Sequence, residues 1–153
     1  MRIGIIAEGR ADIAVIKAVV KAITGIDGSD MYAIRPKEIL DETDGEELKF
    51  SNWELVLQSC NNEQLLVPFF EAIDDEAILV VHIDTAERGE KNYDVHEPQR
   101  TGHPDWKKYS RELRNNVKIK IETLIPERHR DKVAYAIAIE ETDAWLIPLY
   151  DVA

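Results

Sequence analysis

The chain has 153 residues, about 44% of them hydrophobic, and its formal net charge is −11. This length predicts one domain with a sizeable core, the hydrophobic content excludes a disordered chain, and the single cysteine excludes a disulfide framework or a cysteine-based zinc site. The negative charge argues against a polyanion partner for the chain as a whole. No apolar run approaches ~18 residues and no signal-peptide segment follows Met1, so we expect a cytosolic protein without a membrane span.

The first half of the chain alternates strand and helix patterns. Residues 3–7 form a continuous apolar run, typical of a strand buried on both faces of a parallel sheet, and residues 10–23 form a mostly apolar helix. Residues 31–35 predict a second strand, which Pro36 ends. An acidic loop and two further helices are predicted at residues 41–47, 52–59 and 62–72.

The second half continues this alternation. Residues 78–83 are the clearest strand, and the polar stretch at 84–103 is long enough to indicate a functional or disordered loop. Residues 104–124 predict a helix, with Pro104 in its first turn and an apolar stripe from Trp106 to Leu124. A fourth strand and a last helix are predicted at 133–139 and 141–150. We therefore expect a single Rossmann-like, three-layer α/β domain over residues 1–153, with a mainly parallel sheet of about four strands.

Carboxylates follow three of the four predicted strands. Glu8 follows the first strand and Asp84 the third, and the fourth is followed by Glu140, Glu141 and Asp143. Because the carboxyl ends of parallel strands share one edge, these side chains should converge there. Clustered carboxylates repel unless a cation neutralises them, and Mg²⁺ prefers such oxygen ligands, whereas histidine and cysteine are too scarce for zinc. The alternative is that each acid caps the helix that follows it.

Two features accompany these carboxylates. Gly9 allows a sharp turn from strand to helix behind Glu8, and Asp12, one turn further on, could orient Glu8 through water or a neighbour. His82 lies inside a buried strand just before Asp84. It is either a core residue hydrogen-bonded to a neighbour or an aid to the metal site.

The segments around these acids resemble Toprim domains, the topoisomerase–primase class. Residues 5–12 (Ile-Ile-Ala-Glu-Gly-Arg-Ala-Asp) match the first motif of that class, and the strand at 78–83 followed by Asp84 matches the second, which ends in Asp-x-Asp. Ala86 stands where the second acid belongs, and Glu87 follows it. Residues 139–146 resemble a segment of stand-alone Toprim-like proteins related to the overcoming-lysogenisation-defect nucleases, with Asp143 where Glu is more usual.

This resemblance implies a Mg²⁺-dependent (or Mn²⁺-dependent) phosphodiester hydrolase, a nuclease acting on DNA or RNA. It implies catalytic roles for Glu8 and Asp84, and a role in defence against foreign nucleic acid fits it. The residues implied or proposed as metal ligands are Asp84, Glu87, Glu8, Glu140 and Asp143. Ala86 motivates the alternative of a non-catalytic binding or assembly module that serves a partner protein such as an ATPase; a small-phosphate hydrolase is a third reading.

Positive charge is concentrated in one part of the chain. Residues 36–87 contain 14 acidic and two basic residues, whereas residues 88–120 contain nine basic and five acidic ones. On the predicted helix at 104–124, four cations spaced 4, 3 and 4 form one stripe. Such a stripe is either a solvated helix face or a surface for weak, salt-dependent nucleic-acid binding. The candidate phosphate contacts are Arg88, Lys91, Lys107, Arg111, Arg114 and Lys118. Trp106 is expected in the core rather than as a platform for base stacking.

Overall fold

The computed structural model describes residues 1–36, 52–72, 76–99 and 105–142. In these ranges the chain forms a four-stranded sheet in which every neighbouring pair of strands is parallel, with the order β2-β1-β3-β4. The strands are β1 (Arg2–Ile6), β2 (Met31–Arg35), β3 (Ala77–Asp84) and β4 (Val133–Ala138). The predicted α/β class with a parallel sheet of four strands is confirmed.

Among the described residues, four α-helices connect or flank these strands: α1 (Arg10–Thr24), α2 (Trp53–Cys60), α3 (Glu63–Glu71) and α4 (Trp106–Leu124). Side chains of Asn52, Asn62 and Asp105 cap the last three by accepting a backbone N–H from the first turn, which fixes where each begins. The cap at Asp105 starts α4 two residues later than predicted. Two 3₁₀ turns, at Gly28–Asp30 and Glu127–Lys132, were not predicted.

Some predictions fall outside the described residues. These are the acidic loop at 41–47, Pro104, and the predicted helix at 141–150 beyond Thr142. The described part of the polar stretch, residues 85–99, consists of turns and irregular structure, as its lack of periodicity indicated. Among the described helices, none has the length and apolar character that crossing a membrane requires.

The helices cover both faces of the sheet, which gives three layers. On one face, Ile13 and Ile16 of α1 pack with Ile3, Ile5 and Val80 of the central strands. On the other face, α2, α3 and α4 bury a larger cluster that includes Val56, Leu66, Phe70, Leu79, Val81, Leu113, Val117 and Ile121. Burial on both faces explains why β1 and β3 are continuous apolar runs rather than alternating ones.

One expected core residue is not in the core. Tyr109, Leu113, Val117 and Ile121 are buried as the helical spacing predicted, but Trp106 is 57% exposed. It is the first residue of α4, where the buried stripe runs out. The expectation that Trp106 packs inside was therefore wrong.

The strand order places a switch point between β1 and β3. From β1 the chain moves to β2 on one side, and β3 then pairs on the opposite side of β1, with β4 beyond it. At such a point the connections from the two neighbouring strands diverge and leave a crevice outside their carboxyl ends, where ligands bind in open α/β sheets. Glu8 follows β1 and Asp84 ends β3, so both acids lie at this crevice.

Gly4 provides the first test of the packing. A Cβ at this position would lie 2.7 Å from Cζ of Phe69, which packs from α3 against the centre of β1. Gly4→Ala should lower the free energy of unfolding by about 1–3 kcal/mol, because the partly buried Phe69 ring has to move. Urea denaturation measures this, with Gly28→Ala as the matched control, since no atom lies within 4 Å of a Cβ there. Equal stability of the two variants would contradict the packing described.

Candidate metal centre

A hydrogen bond across the switch point joins the ends of β1 and β3. The backbone N–H of Asp84 donates to Oε1 of Glu8 at 2.8 Å, although the two residues are 76 positions apart. Glu8, Asp84 and Glu87 each have one carboxylate oxygen within 4.8 Å of the others'. We call these three residues the carboxylate triad. It brings together two acids from strand ends and one from the turn that follows β3.

The turn after β3 explains how Glu87 reaches this position. Oδ1 of Asp84 accepts the backbone N–H of Ala86 at 3.0 Å, a local turn in which an aspartate bonds the chain two residues on. Ala86 therefore contributes its backbone where the Toprim motif has a second acid. The carboxylate comes from the next residue, Glu87.

A buried tyrosine fixes the other side of Asp84. The hydroxyl of Tyr93 donates to the backbone carbonyl of Asp84 at 2.7 Å, and its ring packs against Trp53 with centroids 5.1 Å apart. Tyr93 is 1% exposed. The end of β3 is thus held by two hydrogen bonds, one from Tyr93 to the Asp84 carbonyl and one from the Asp84 N–H to Glu8.

Gly9 and Asp12 shape the backbone beside Glu8. Oδ2 of Asp12 accepts the N–H of Gly9 at 2.9 Å, so Asp12 caps the start of α1. Asp12, which was expected to orient Glu8 through water or a neighbour, holds the backbone next to Glu8.

The triad carries unfavourable charge at neutral pH. Burial raises the pKa of Glu8 from its ordinary value of 4.5 to about 7; the hydrogen bond from Asp84 opposes this, and the charges of Asp84, Glu87 and Asp12 add to it. Burial likewise raises the pKa of Asp84 to about 6, with Glu87 and Asp12 contributing. Three hard oxygen donors that repel one another match the ligand preference of Mg²⁺ or Mn²⁺.

A cavity of about 150 Å³ opens beside the triad, lined by Asp12, Asp84, Ala86, Glu87, Glu141 and Thr142. Beneath it, His82 is fully buried, and its Nε2 lies 3.0 Å from Oγ1 of Thr142. Burial lowers the pKa of His82, so the imidazole is neutral at pH 7. His82 is therefore a core histidine that is hydrogen-bonded to a neighbour. That neighbour, Thr142, lines the cavity, whereas His82 itself does not.

Glu140 and Arg88 pair with each other. Nη1 of Arg88 donates to Oε2 of Glu140 at 2.9 Å and to the carbonyl of Thr85 at 2.7 Å, while its Nε faces Glu97 at 3.4 Å. The triad assembles without Glu140. Glu140 was expected as a metal ligand and Arg88 as a phosphate contact; in the structure the two side chains form an ion pair with each other. Asp143, also expected as a ligand, lies outside the described residues.

Thr85 is a residue that the sequence analysis missed. It is fully buried, its N–H donates to the carbonyl of Glu140 at 3.1 Å, and its Oγ1 accepts the N–H of Glu140 at 2.8 Å. Glu140 has a φ of 68°, which is unusual for a residue other than glycine. This two-way clamp ties the end of β4 to the end of β3. No signal in the sequence marks it, because it depends on the pairing of two strands far apart in the chain.

The remaining candidate cations differ in their surroundings. Nζ of Lys118 lies 3.5 Å from Oε1 of Glu122 and 5.4 Å from the centre of the Tyr135 ring, so its charge is partly neutralised within the protein. Lys91 is exposed and lines, with Glu87 and Glu90, a second cavity of about 370 Å³. Three further cations are exposed and make no ion pair with any described residue: Lys107, Arg111 and Arg114.

Comparison of the chain with family models, curated proteins and solved structures gave no match. The likeness to Toprim domains accordingly rests on the motif residues themselves.

The raised pKa values predict a pH-dependent stability. In the folded chain Glu8 keeps a proton that the unfolded chain has released, so its contribution to the free energy of unfolding falls as pH rises from about 4.5 to about 7. Glu8→Gln removes this penalty and keeps an oxygen to accept the Asp84 N–H. In EDTA, the variant should gain on the order of 1 kcal/mol over the wild type by pH 8, allowing for solvent screening.

Urea denaturation at pH 5, 6, 7 and 8 measures this difference. Glu76→Gln is the control, because Glu76 is exposed and outside the triad. A stability difference between Glu8→Gln and the wild type that stays constant over this range would contradict the raised pKa.

The clamp at Thr85 gives a second prediction. Thr85→Val preserves the shape of the side chain but leaves the Glu140 N–H without its acceptor, and should lower the free energy of unfolding by about 1–3 kcal/mol. Amide exchange at Glu140 should accelerate in the same variant. Thr123→Val is the matched control, since its exposed hydroxyl bonds only within α4. Unchanged exchange at Glu140 would show that the clamp does not form.

Proposed function

We propose that the chain is a Mg²⁺-dependent phosphodiester hydrolase that acts on nucleic acid. The observation that carries this proposal is the convergence of three carboxylates at the switch point of a parallel sheet, with ligand oxygens within 4.8 Å of one another. The Toprim-like motifs around Glu8 and Asp84 support it by resemblance.

The electrostatics of the triad favour a divalent cation over a purely structural role. An acid that only capped a helix would be stabilised by its partners, whereas the pKa values of Glu8 and Asp84 are raised. A cation held by Asp84 and Glu87, with Glu8 beside them, would remove this repulsion. Mg²⁺ at such a site polarises a phosphate oxygen and lowers the pKa of a bound water.

Glu8 has the properties of a proton acceptor. Its Oε1 is fixed by the Asp84 amide, and its Oε2 accepts no hydrogen bond from the described residues. The Glu8 carboxylate can therefore take a proton from an attacking water and return it to the leaving oxygen. We therefore assign acid/base chemistry to Glu8 and metal binding to Asp84 and Glu87.

The absence of an acid at position 86 keeps a second candidate in view. A triad with one carboxylate fewer than the Toprim motif could belong to a non-catalytic binding or assembly module that serves a partner ATPase. Calorimetry separates the two. A Mn²⁺ titration that gives no heat, together with no cleavage of any oligonucleotide, would favour the module.

Substitutions in the triad test the nuclease directly. Glu8→Gln should lower the rate of Mg²⁺-dependent oligonucleotide cleavage at least ~100-fold, because it removes the proton acceptor, and Asp84→Asn should abolish heat release in the Mn²⁺ titration. Glu90→Gln is the matched control: it lies three residues from Glu87 but outside the triad, and should leave cleavage unchanged.

The substrates are labelled DNA and RNA oligonucleotides, with a phosphomonoester as comparison. Cleavage at the wild-type rate by both triad variants would contradict the assignment of the triad as the nuclease site. Selective hydrolysis of the phosphomonoester would redirect it to small phosphates.

A further inference from the structure

We propose that the start of α4 is a binding surface for single-stranded nucleic acid, on which Trp106 stacks an unpaired base while the basic flank contacts phosphates. The basic flank consists of Lys107, Arg111 and Arg114. This inference rests on the proposed function for its biological sense, because it names the form of nucleic acid that reaches the triad. Its observations, however, are independent of the triad.

The basic flank lies on one side of α4. Positions spaced by four and three residues share a helix face, and this face adjoins the buried stripe that begins at Tyr109. The three side chains are exposed and form no ion pair with described residues. Other lysines of α4 do have carboxylate partners: Lys108 with Glu112, Lys118 with Glu122 and Lys120 with Asp94. Among the described parts of α4, positive charge is thus left for an external partner on this flank.

Trp106 is the first residue of α4, directly before Lys107 and on the neighbouring face, and it is 57% exposed. Tyr109 supports it from the next turn, edge to face, with ring centroids 5.8 Å apart and an interplanar angle of 80°. Tyr109 is itself 5% exposed, and its hydroxyl donates to Glu97 at 2.6 Å. A large aromatic surface held in this way can accept a base at little entropic cost.

The surface lies at the same edge of the sheet as the triad. Because β3 and β4 are parallel, the helix between them begins at their carboxyl ends. A chain of contacts also links the two regions: Tyr109 bonds Glu97, Glu97 faces Arg88, and Arg88 bonds Glu140 at the end of β4. A strand bound along α4 is therefore directed towards the crevice that contains the triad.

The combination of groups favours single strands over duplexes. Only an unpaired base can leave its neighbours to stack on an indole, whereas a duplex offers phosphates alone to this surface. Three cations provide a small number of phosphate contacts, and the remainder of a chain with a net charge of −11 repels a polyanion. Stacking therefore has to supply the affinity that charge does not.

Fluorescence anisotropy of labelled 12-nucleotide DNA, the same sequence in RNA, and a blunt DNA duplex tests this with the full chain in EDTA at low salt. The wild type should bind the single strands at least ~10-fold more tightly than the duplex. Trp106→Ala should weaken single-strand binding by at least ~10-fold, Trp106→Tyr should restore part of it, and neither should alter duplex binding. Arg111→Gln should reduce the salt dependence of single-strand binding by ~0.7 in log–log slope.

The matched control is Lys108→Ala, a lysine of α4 outside the basic flank whose ammonium already pairs with Glu112, and this variant should leave single-strand affinity unchanged. Circular dichroism checks that each variant is folded. Equal single-strand affinity of Trp106→Ala and the wild type, or no measurable binding by the wild type, would overturn the proposal. A preference between DNA and RNA that Trp106→Ala abolishes would support it and identify the natural strand.

The readouts keep the two proposals apart. Binding in EDTA does not require the metal that the triad would hold, so it tests this surface separately from the hydrolase. Trp106-dependent binding without any Mg²⁺-dependent cleavage would refute the hydrolase and leave the surface standing. Cleavage that persists at full rate and affinity in Trp106→Ala would refute the binding surface and leave the hydrolase standing.

Discussion

The hydrogen bond from the Asp84 amide to the Glu8 carboxylate is the contact on which the candidate site depends. It closes the carboxyl ends of β1 and β3 at the point where the chain changes direction across the sheet. By holding a carboxylate on one strand against the backbone of the next, it also places the Glu8 and Asp84 side chains together. Burial at this point raises the pKa values of both acids and the neighbouring carboxylate charges add to that rise, although the hydrogen bond itself lowers the pKa of Glu8.

A protein can tolerate such repulsion only where the backbone around it is firmly held. Here Tyr93 fixes the carbonyl of Asp84, Thr85 clamps the end of β4 through Glu140, and Arg88 neutralises the Glu140 carboxylate. These contacts use polar groups that the strand ends would otherwise present to solvent. Their combined effect is to keep the triad in place without adding further charge to it.

The sequence predicted the sheet and the meeting of Glu8 with Asp84 because both follow from local pattern and one general rule. Buried parallel strands are recognisable as apolar runs, and parallel strands end at a common edge. The role of Glu140 was not predictable in this way. It depends on Arg88, which reaches Glu140 only after β3 and β4 have paired, so the contact is fixed by tertiary structure. Trp106 was misplaced because helical spacing identifies a face but not the point along the helix where burial ends.

The net charge of −11 does not by itself decide whether the chain can bind nucleic acid, because the effect of each charge depends on where it lies in the structure. The acids of the triad oppose a polyanion only while they lack a cation, since a divalent ion would convert the same residues into a phosphate-attracting centre. On α4, Lys108, Lys118 and Lys120 are paired with carboxylates. The basic flank has no such partner among the described residues and lies next to the exposed Trp106. We therefore expect the non-specific attraction between the chain and nucleic acid to be weak. Recognition would have to come from two short-range interactions, metal to phosphate and indole to base, both at the carboxyl edge of one sheet.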